Sequence, residues 1–514
     1  MRQVTAIAID AGTTLVKAVG YADDGTELAV GRRPTRVLRP HPGWSEQDMT
    51  EVWAAVADAT REVTAQLPEP PDMVAVTAQG DGAWLVDDRD RPTGPAVLWN
   101  DGRAADLLTG WERDGTVHEA FRICGSRLST GMPHAVLAWL RAHDPERIER
   151  SSQVLTCGGW LYLRLTGEAA VDESDASAPF LDVRKRAWSD QLFELYGMPW
   201  ARRLLPDLRD DDHRVTALTA AAAEETGLPA GIPVVLAPYD ICATAIGAGA
   251  VSPGQACCIL GTTLSTEIVT DEVVTEEPVE PVGITVTLGV PDRYLRAFPT
   301  MSGGDVLDWG TRMLGLDSVA ELMALAAQGR PDAAGVRFLP YLSPAGERAP
   351  FFDPAARGSL AGLSLEAGRE DVARALVEGV TMAIRDCLSA SPARPDRLAL
   401  CGGGTRSDFW MRLIADVTGL PVTIPADAEV GARGAWLTGL VATGREPGFR
   451  TAADRHVRTA ATYEPDPRTA DGYGDRYRGF LRLRETHRPA WHDGGGSSEN
   501  GGSGGSGPIG GAGA

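Results

Sequence analysis

A chain of 514 residues exceeds what a single hydrophobic core supports, so two large domains are expected. With 43% hydrophobic and 23% charged residues it reads as globular, and its net charge of -21 excludes unspecific binding to nucleic acid or to an anionic membrane surface. No apolar run reaches the roughly 18 residues of a membrane span.

In chain order, Val4–Asp10 predicts a buried strand. Gly12, Thr13 and Thr14 break it, Leu15–Tyr21 resumes it, and Asp23, Asp24 and Gly25 signal a hairpin. The opening unit is therefore strand, Gly-Thr turn, strand. Ser45–Asp48 reads as a capping box opening a helix that runs to about Gln66. Met73–Gln79 predicts a strand ending at Gly80, Asp81 and Gly82; Trp84–Asp87 continues it, and Ala96–Trp99 is a further strand. The second half begins near Gly231, where Ile232–Ala237 predicts a strand leading to Tyr239 and Asp240 and then a small-residue helix over Ile241–Gly249. Ala256–Leu260 runs into Gly261, Thr262 and Thr263, repeating the opening pattern; two copies, one at the start of each half, indicate a duplicated fold. Arg397–Cys401 predicts a strand ending in Gly402, Gly403 and Gly404, with a helix over about Ser407–Val417. Residues 493–514 are almost entirely Gly, Ser and Ala and predict a disordered tail.

Seven cysteines with no CxxC pair and no Cys/His cluster read as reduced, buried thiols of a cytoplasmic protein, and Met1–Asp10 carries no signal-peptide pattern. The eight histidines show no metal-ligand spacing. The basic side chains are nearly all arginine, Lys17 and Lys185 being the only lysines.

A Gly-Thr-Thr turn between strands offers backbone N–H groups and hydroxyls to a polyphosphate, and the second copy at Gly261 strengthens that reading over a plain hairpin turn. Asp10, just before the first turn, would hold a hydrated Mg²⁺, and Lys17 would add a positive charge. Asp240, where a strand meets a helix, reads either as a helix cap or as a general base taking a proton from a substrate hydroxyl. Gly402–Gly404 permits close approach of a ligand to the backbone, but it lacks the G-x-G-x-x-G spacing, and no Walker P-loop is present.

Taken together, these motifs resemble the FGGY carbohydrate kinases, the family of glycerol, xylulose, ribulose and erythritol kinases. The resemblance runs from Ile7 to about Gly444 through Asp10–Thr14, Pro42–Asp48, Pro95–Arg103, Trp160–Gly167, Gly346–Pro350 and Cys401–Ser407, in the family's order. It implies an α/β, two-domain actin-like (ribonuclease H-like, duplicated) fold with ATP and Mg²⁺ in the cleft. The expected segments are an N-terminal domain at 1–245, a C-terminal domain at 246–445, an extension at 446–492 and the tail at 493–514. By resemblance, Thr13, Thr14, Lys17 and Thr262 would contact the ATP phosphates, Gly304 and Asp308 would lie near the nucleotide, and Gly403 and Ser407 near the adenosine. Asp240 matches the family's catalytic base. Gln79, Asp81, Trp99, Asp101 and Asp240 would build a pocket for a small sugar or polyol, with an aromatic face over the carbon chain.

Gly80 stands where glycerol kinases have arginine, and the Gln-Met-His-Gly of xylulose kinases is absent, which disfavours glycerol and D-xylulose. Gln79–Val86 and Ser343–Phe351 are similar to erythritol kinases, and Pro42–Trp44 and Gln79–Gly80 to L-xylulose kinases. Cys157-Gly158-Gly159-Trp160 departs from the Cys-Lys-Asp-Trp of erythritol kinases. The expectation is transfer of a phosphoryl group from ATP to a terminal hydroxyl of an erythritol-like or L-xylulose-like acceptor. The alternatives are another acceptor such as ribulose, D-xylulose or glycerol, and an actin-like ATPase switch without a sugar acceptor. The resemblance leaves room for a homodimer, and for neither nucleic-acid nor membrane binding.

Overall fold

The computed structural model describes residues 5–177, 179–210, 213–273, 275 and 280–492; the expected tail at 493–514 lies outside them. Two mixed sheets organise the chain. In the first, Thr5–Ala11 pairs antiparallel with Leu15–Ala22, which pairs antiparallel with Glu27–Pro34. On its other side Thr5–Ala11 runs parallel to Val74–Ala78, which runs parallel to Pro233–Leu236. The second sheet repeats this plan. Gln255–Leu260 pairs antiparallel with Leu264–Thr270 and parallel with Arg397–Cys401, which runs parallel to Val422–Pro425. The hairpin and the two parallel crossovers recur in the same order, so the duplication signalled by the two Gly-Thr-Thr turns is a duplication of topology.

The central strands are covered on both faces, which explains their continuous apolar runs. In the first sheet, Ile7, Ile9, Val74 and Val76 face one core together with Val52, Val56 and Val63 of the helix Met49–Thr64 and Trp160 of the helix Cys157–Thr166. The alternate residues, Ala6, Ala8 and Ala75, face the helices Asp240–Gly247 and Val430–Ala442. Cys257, Ala399 and Cys401 of the second sheet face the same core, so this layer joins the two halves. Two helices cross there at close range, on glycines. A Cβ on Gly434 would lie 1.7 Å from the carbonyl oxygen of Ala243, and one on Gly247 would lie 2.0 Å from that of Val430. Segment 446–492 supplies the edge strand Thr459–Tyr463 and the helix Pro467–His492, docked through Tyr477 on Asp386 (2.8 Å) and Arg374 on Tyr473 (2.9 Å).

Several local expectations shift. The helix expected from Ser45 begins at Met49, capped by Asp48; Glu46 and Gln47 are instead a short strand paired with Ala96 and Val97. Trp84–Val86 does not continue the strand before it, because the Gly80–Gly82 turn diverts the chain into a ladder with Gln153–Leu155. The strand at Ala96 ends at Val97, and the small-residue helix spans Asp240–Gly247. No helix among the described residues is long and apolar enough to cross a membrane, and all seven cysteines are free and buried.

Candidate active site

The first Gly-Thr-Thr turn is closed by the Gly12 N–H donating to Leu15 O at 3.1 Å, the second by the Gly261 N–H donating to Thr263 O at 3.2 Å. Thr14, the third residue of the first turn, and Thr262, the second residue of the other, are the exposed hydroxyls of the two turns. Behind the second turn, the Gly304 N–H donates to Gly261 O at 2.9 Å, and a Cβ on Gly304 would lie 2.6 Å from that oxygen. Gly304 is thus the residue that lets the helix Gly304–Met313 start directly against the turn. Asp308 stands exposed one turn into that helix.

Thr13 does something the sequence did not suggest. Its hydroxyl donates to Gln79 Oε1 at 2.7 Å and accepts from Trp99 Nε1 at 3.0 Å. The amide of Gln79 donates in turn to Gln47 Oε1 at 2.8 Å, and Gln47 Nε2 donates to Thr13 O at 2.7 Å. This closed network fixes the first turn against the Trp99 face, leaving Thr14 as the exposed hydroxyl of that turn.

Asp240 is the first residue of its helix. The N-cap is Tyr239, which makes no side-chain capping bond, so the capping role considered for Asp240 is not the one it has. Its carboxyl is half-buried and pushed up to about 8, first by burial, then by the negative charge of Asp10, with Asp81 adding to it against the Ile241 N–H and Lys17. With Asp10 and Asp81 near it and Lys17 as the nearby cation, Asp240 sits in a site short of positive charge. Lys17 Nζ lies 3.3 Å from Asp10 and 3.1 Å from Glu429. Burial alone would depress its ammonium, but Asp10 and Glu429 outweigh that and raise it. Glu429 also accepts from Arg32, so Lys17 and Arg32 of the first sheet bridge to the residue preceding the helix Val430–Ala442. Gly431 stands beside this cluster: a Cβ there would lie 2.8 Å from Asp10 Oδ2.

The Gly80–Gly82 turn presents a second carboxyl. Asp81 has φ 53°, a left-handed conformation costly for a side chain other than Asn or Asp, and Gly82 has φ 73°. A Cβ on Gly80 would meet the Tyr239 ring at 2.3 Å, so the absence of an arginine at this position has a steric cause: Tyr239 fills the space. Burial pushes the Asp81 carboxyl up to about 7, while Arg348 acts in the opposite direction. Asn tolerates the same backbone, so Asp81→Asn is expected to keep the melting temperature within a few degrees.

Two expected site residues are occupied otherwise. Asp101 is fully buried; its carboxylate accepts from the Ser45 N–H (2.6 Å) and from Arg103 Nε (2.8 Å) and Nη2 (3.0 Å). Arg103 lies 3.9 Å over the Trp44 ring and also binds Glu46 at 2.6 Å, so Asp101 holds the loop behind Trp99. Ser407 Oγ accepts from the Trp410 N–H at 3.3 Å as the cap of the helix Asp408–Thr418. Gly403 faces open space, whereas Gly402 and Gly404 are packed on Leu260. Glu429 and Tyr239 join the site without a sequence signal, since neither lies in a turn or motif and both act through tertiary contact.

The family model described as "FGGY family of carbohydrate kinases, N-terminal domain" matches residues 5–247, and the corresponding C-terminal domain matches residues 256–443. An erythritol kinase of Brucella abortus is 32% identical over 94% of this chain and 96% of its own length. A xylulose kinase of Escherichia coli is 34% identical over 83% of this chain and 87% of its own. The crystal structure of xylulose kinase from Rhodospirillum rubrum superposes with a TM-score of 0.87 at 30% identity, covering 96% of this chain and all (100%) of that one.

Proposed function

The chain belongs to the FGGY family of carbohydrate kinases, and on that premise we propose that it transfers the terminal phosphoryl group of Mg·ATP to a terminal hydroxyl of a small neutral polyol or ketose, with Asp240 as general base. The observation that carries this is the carboxyl of Asp240, half-buried, capping no helix and raised to about 8 among Asp10 and Asp81. A group with an affinity for protons in that range is matched to accepting one from an alcohol near neutral pH.

The residues present fit the cofactors. Thr14 and Thr262 with the backbone N–H groups of their turns suit phosphate oxygens, and the open space at Gly403 suits close approach of a flat ring. Among the described residues no cluster of three or more carboxylate, His or Cys groups forms a closed metal cage. Asp10 with Asp240 as neighbour is instead the sparse carboxylate set of an ion that keeps waters and phosphates as its other ligands, which is the habit of Mg²⁺. Bound there, Mg²⁺ would neutralise phosphate charge.

The chain's own part follows. The Thr13–Gln79–Trp99 network holds the acceptor surface in register with the first turn. Trp99 offers a face to the carbon chain, and Asp81 accepts from its hydroxyls. Asp240 takes the proton as the acceptor oxygen attacks in line, and the shared layer between the sheets is where the halves would close and exclude water. The free thiols fit a reducing, cytoplasmic setting.

The testing experiment is an acceptor panel followed by ADP release: erythritol, L-xylulose, ribulose, D-xylulose, glycerol and further tetritols and pentitols. The expected result is strong stimulation by a four- or five-carbon acceptor; release that ignores every acceptor would point to an ATPase switch. The pH profile offers a second check. A base raised to about 8 is protonated below that value, so kcat/KM should fall tenfold per pH unit on the acid side, with a midpoint near 8. A profile flat between pH 5.5 and 8 would remove Asp240 from that role.

A further inference from the structure

We propose that Arg348 is an acceptor-binding residue, which together with Asp81 grips a hydroxyl of the neutral sugar or polyol and so makes closure of the two halves depend on the acceptor. This rests on the kinase reading above.

The loop carrying Arg348 belongs to the second half, since Phe338, Tyr341, Ala349 and Phe351 pack into the core beneath the second sheet. Its base is rigid. Glu347 and Asp353 exchange backbone hydrogen bonds at 2.9 Å in both directions, and Gly346 at φ 78° sits where a Cβ would lie 2.2 Å from Asp353 O. The buried Glu347 carboxylate accepts from the N–H groups of Met301 (2.6 Å) and Arg348 (2.9 Å). Nε of Arg348 donates to Pro299 O at 2.9 Å, which orients the guanidinium plane. The guanidinium carbon then lies 6.0 Å from the centre of the Trp99 ring, on the first half.

What singles out Arg348 is what its tip lacks. Its two Nη groups have no hydrogen-bond partner among the described residues. Arginines that serve the fold here are spent: Arg103 binds Asp101 and Glu46, and Arg296 binds the Gly125 carbonyl and Thr285. Arg348 is near enough to Asp81 to pull its carboxyl down against burial, yet the two form no ion pair within 4 Å. A donor-only group, itself 6.0 Å from the centre of an aromatic ring, and an acceptor stand apart without meeting. A hydroxyl bridges such a gap, accepting from Nη–H and donating to the carboxylate, and a ketose carbonyl with its neighbouring hydroxyl does the same. A sugar-acid carboxylate would pair with Arg348 but meet the charge of Asp81, so the ligand class is neutral. Because the two gripping groups come from different halves, the acceptor itself bridges them.

The test uses the full chain with Arg348→Met and Arg348→Lys, the best acceptor from the panel, and the same acceptor lacking single hydroxyls. For Arg348→Met the acceptor KM should rise roughly 10- to 100-fold, the scale of a hydrogen bond to a charged group, with the KM for ATP within about twofold. Arg348→Lys should recover part of the loss. In Arg348→Met, unlike the natural chain, ADP should form in excess of phosphorylated acceptor, and one deoxy acceptor should be discriminated by the natural chain but not by Arg348→Met. An unchanged acceptor KM, or a parallel rise in the KM for ATP, overturns the proposal while leaving the kinase reading intact. If the natural chain phosphorylates no acceptor at all, both fail. Should melting curves show Arg348→Met unfolded, Arg348→Lys decides by the same criteria.

Discussion

Replacing Asp240 by Asn should lower kcat by about 10²- to 10⁴-fold, leave both KM values within a few-fold, and raise the melting temperature at pH 8 to 9. The two halves of this result separate a base from a structural group. Asn keeps the shape and can still meet the Ile241 N–H, so substrates bind, but it cannot take the proton. The stability sign follows from linkage. The folded carboxyl is raised to about 8 from an ordinary value of 3.8, so the fold binds that proton more tightly than the unfolded chain does. Its stabilising effect is complete below the unfolded value, declines as pH rises between the two, and leaves the ionised group as a burden above 8. Removing the charge removes the burden. A helix-capping aspartate would show neither change, since Asn caps a helix about as well as Asp. A variant with wild-type turnover, or one that melts earlier at pH 8, would contradict the assignment.

Gly434→Ala should have the largest effect on the fold of any single methyl group considered. The added Cβ would sit 1.7 Å from the carbonyl oxygen of Ala243, less than half an ordinary contact, with backbone on both sides and no flexible side chain to yield. The crossed helices Asp240–Gly247 and Val430–Ala442 must separate, and overpacking of this kind costs about 3 kcal/mol or more. Activity should fall further than stability explains, because one helix begins at Asp240 and the other follows Glu429, the partner of Lys17. Gly110→Ala serves as the control. It lies inside the helix Ala105–Arg113 with nothing within 4 Å of its Cβ, so it should be neutral or stabilising by up to about 1 kcal/mol. A denaturation midpoint for Gly434→Ala equal to that of Gly110→Ala would show that the helices do not meet as described.

Much of this architecture was legible in the sequence because it was written in local signals. Apolar runs followed by Gly-Thr-Thr at Gly12 and Gly261 announced two equivalent hairpins, and the pairing of Gln255–Leu260 repeats that of Thr5–Ala11. Misreadings arose where a local signal had two uses. Ser45 to Asp48 matched a capping box, yet only Asp48 caps, since Glu46 and Gln47 are taken by a strand and by contacts to Arg103, Gln79 and Thr13. Asp101 sits beside Trp99 in sequence, but its carboxylate turns to Arg103 and Ser45. Glu429 carried no sequence signal, and although Tyr239 adjoins Asp240 and Arg348 lies within Gly346–Pro350, nothing local showed what either would meet. Each meets a partner far removed in sequence: the packing of the two halves brings Glu429 to Lys17 and Arg348 towards Trp99, and the folding of the first half brings Tyr239 to Gly80.

The central claim is transfer to a terminal hydroxyl rather than to water, and phosphorus NMR of the reaction with the best acceptor tests it most directly. The account predicts a phosphomonoester signal growing one for one with ADP and split into a triplet by the two protons of a CH₂–O–P group. Inorganic phosphate accumulating in place of any ester, at the same rate with and without acceptor, would contradict it.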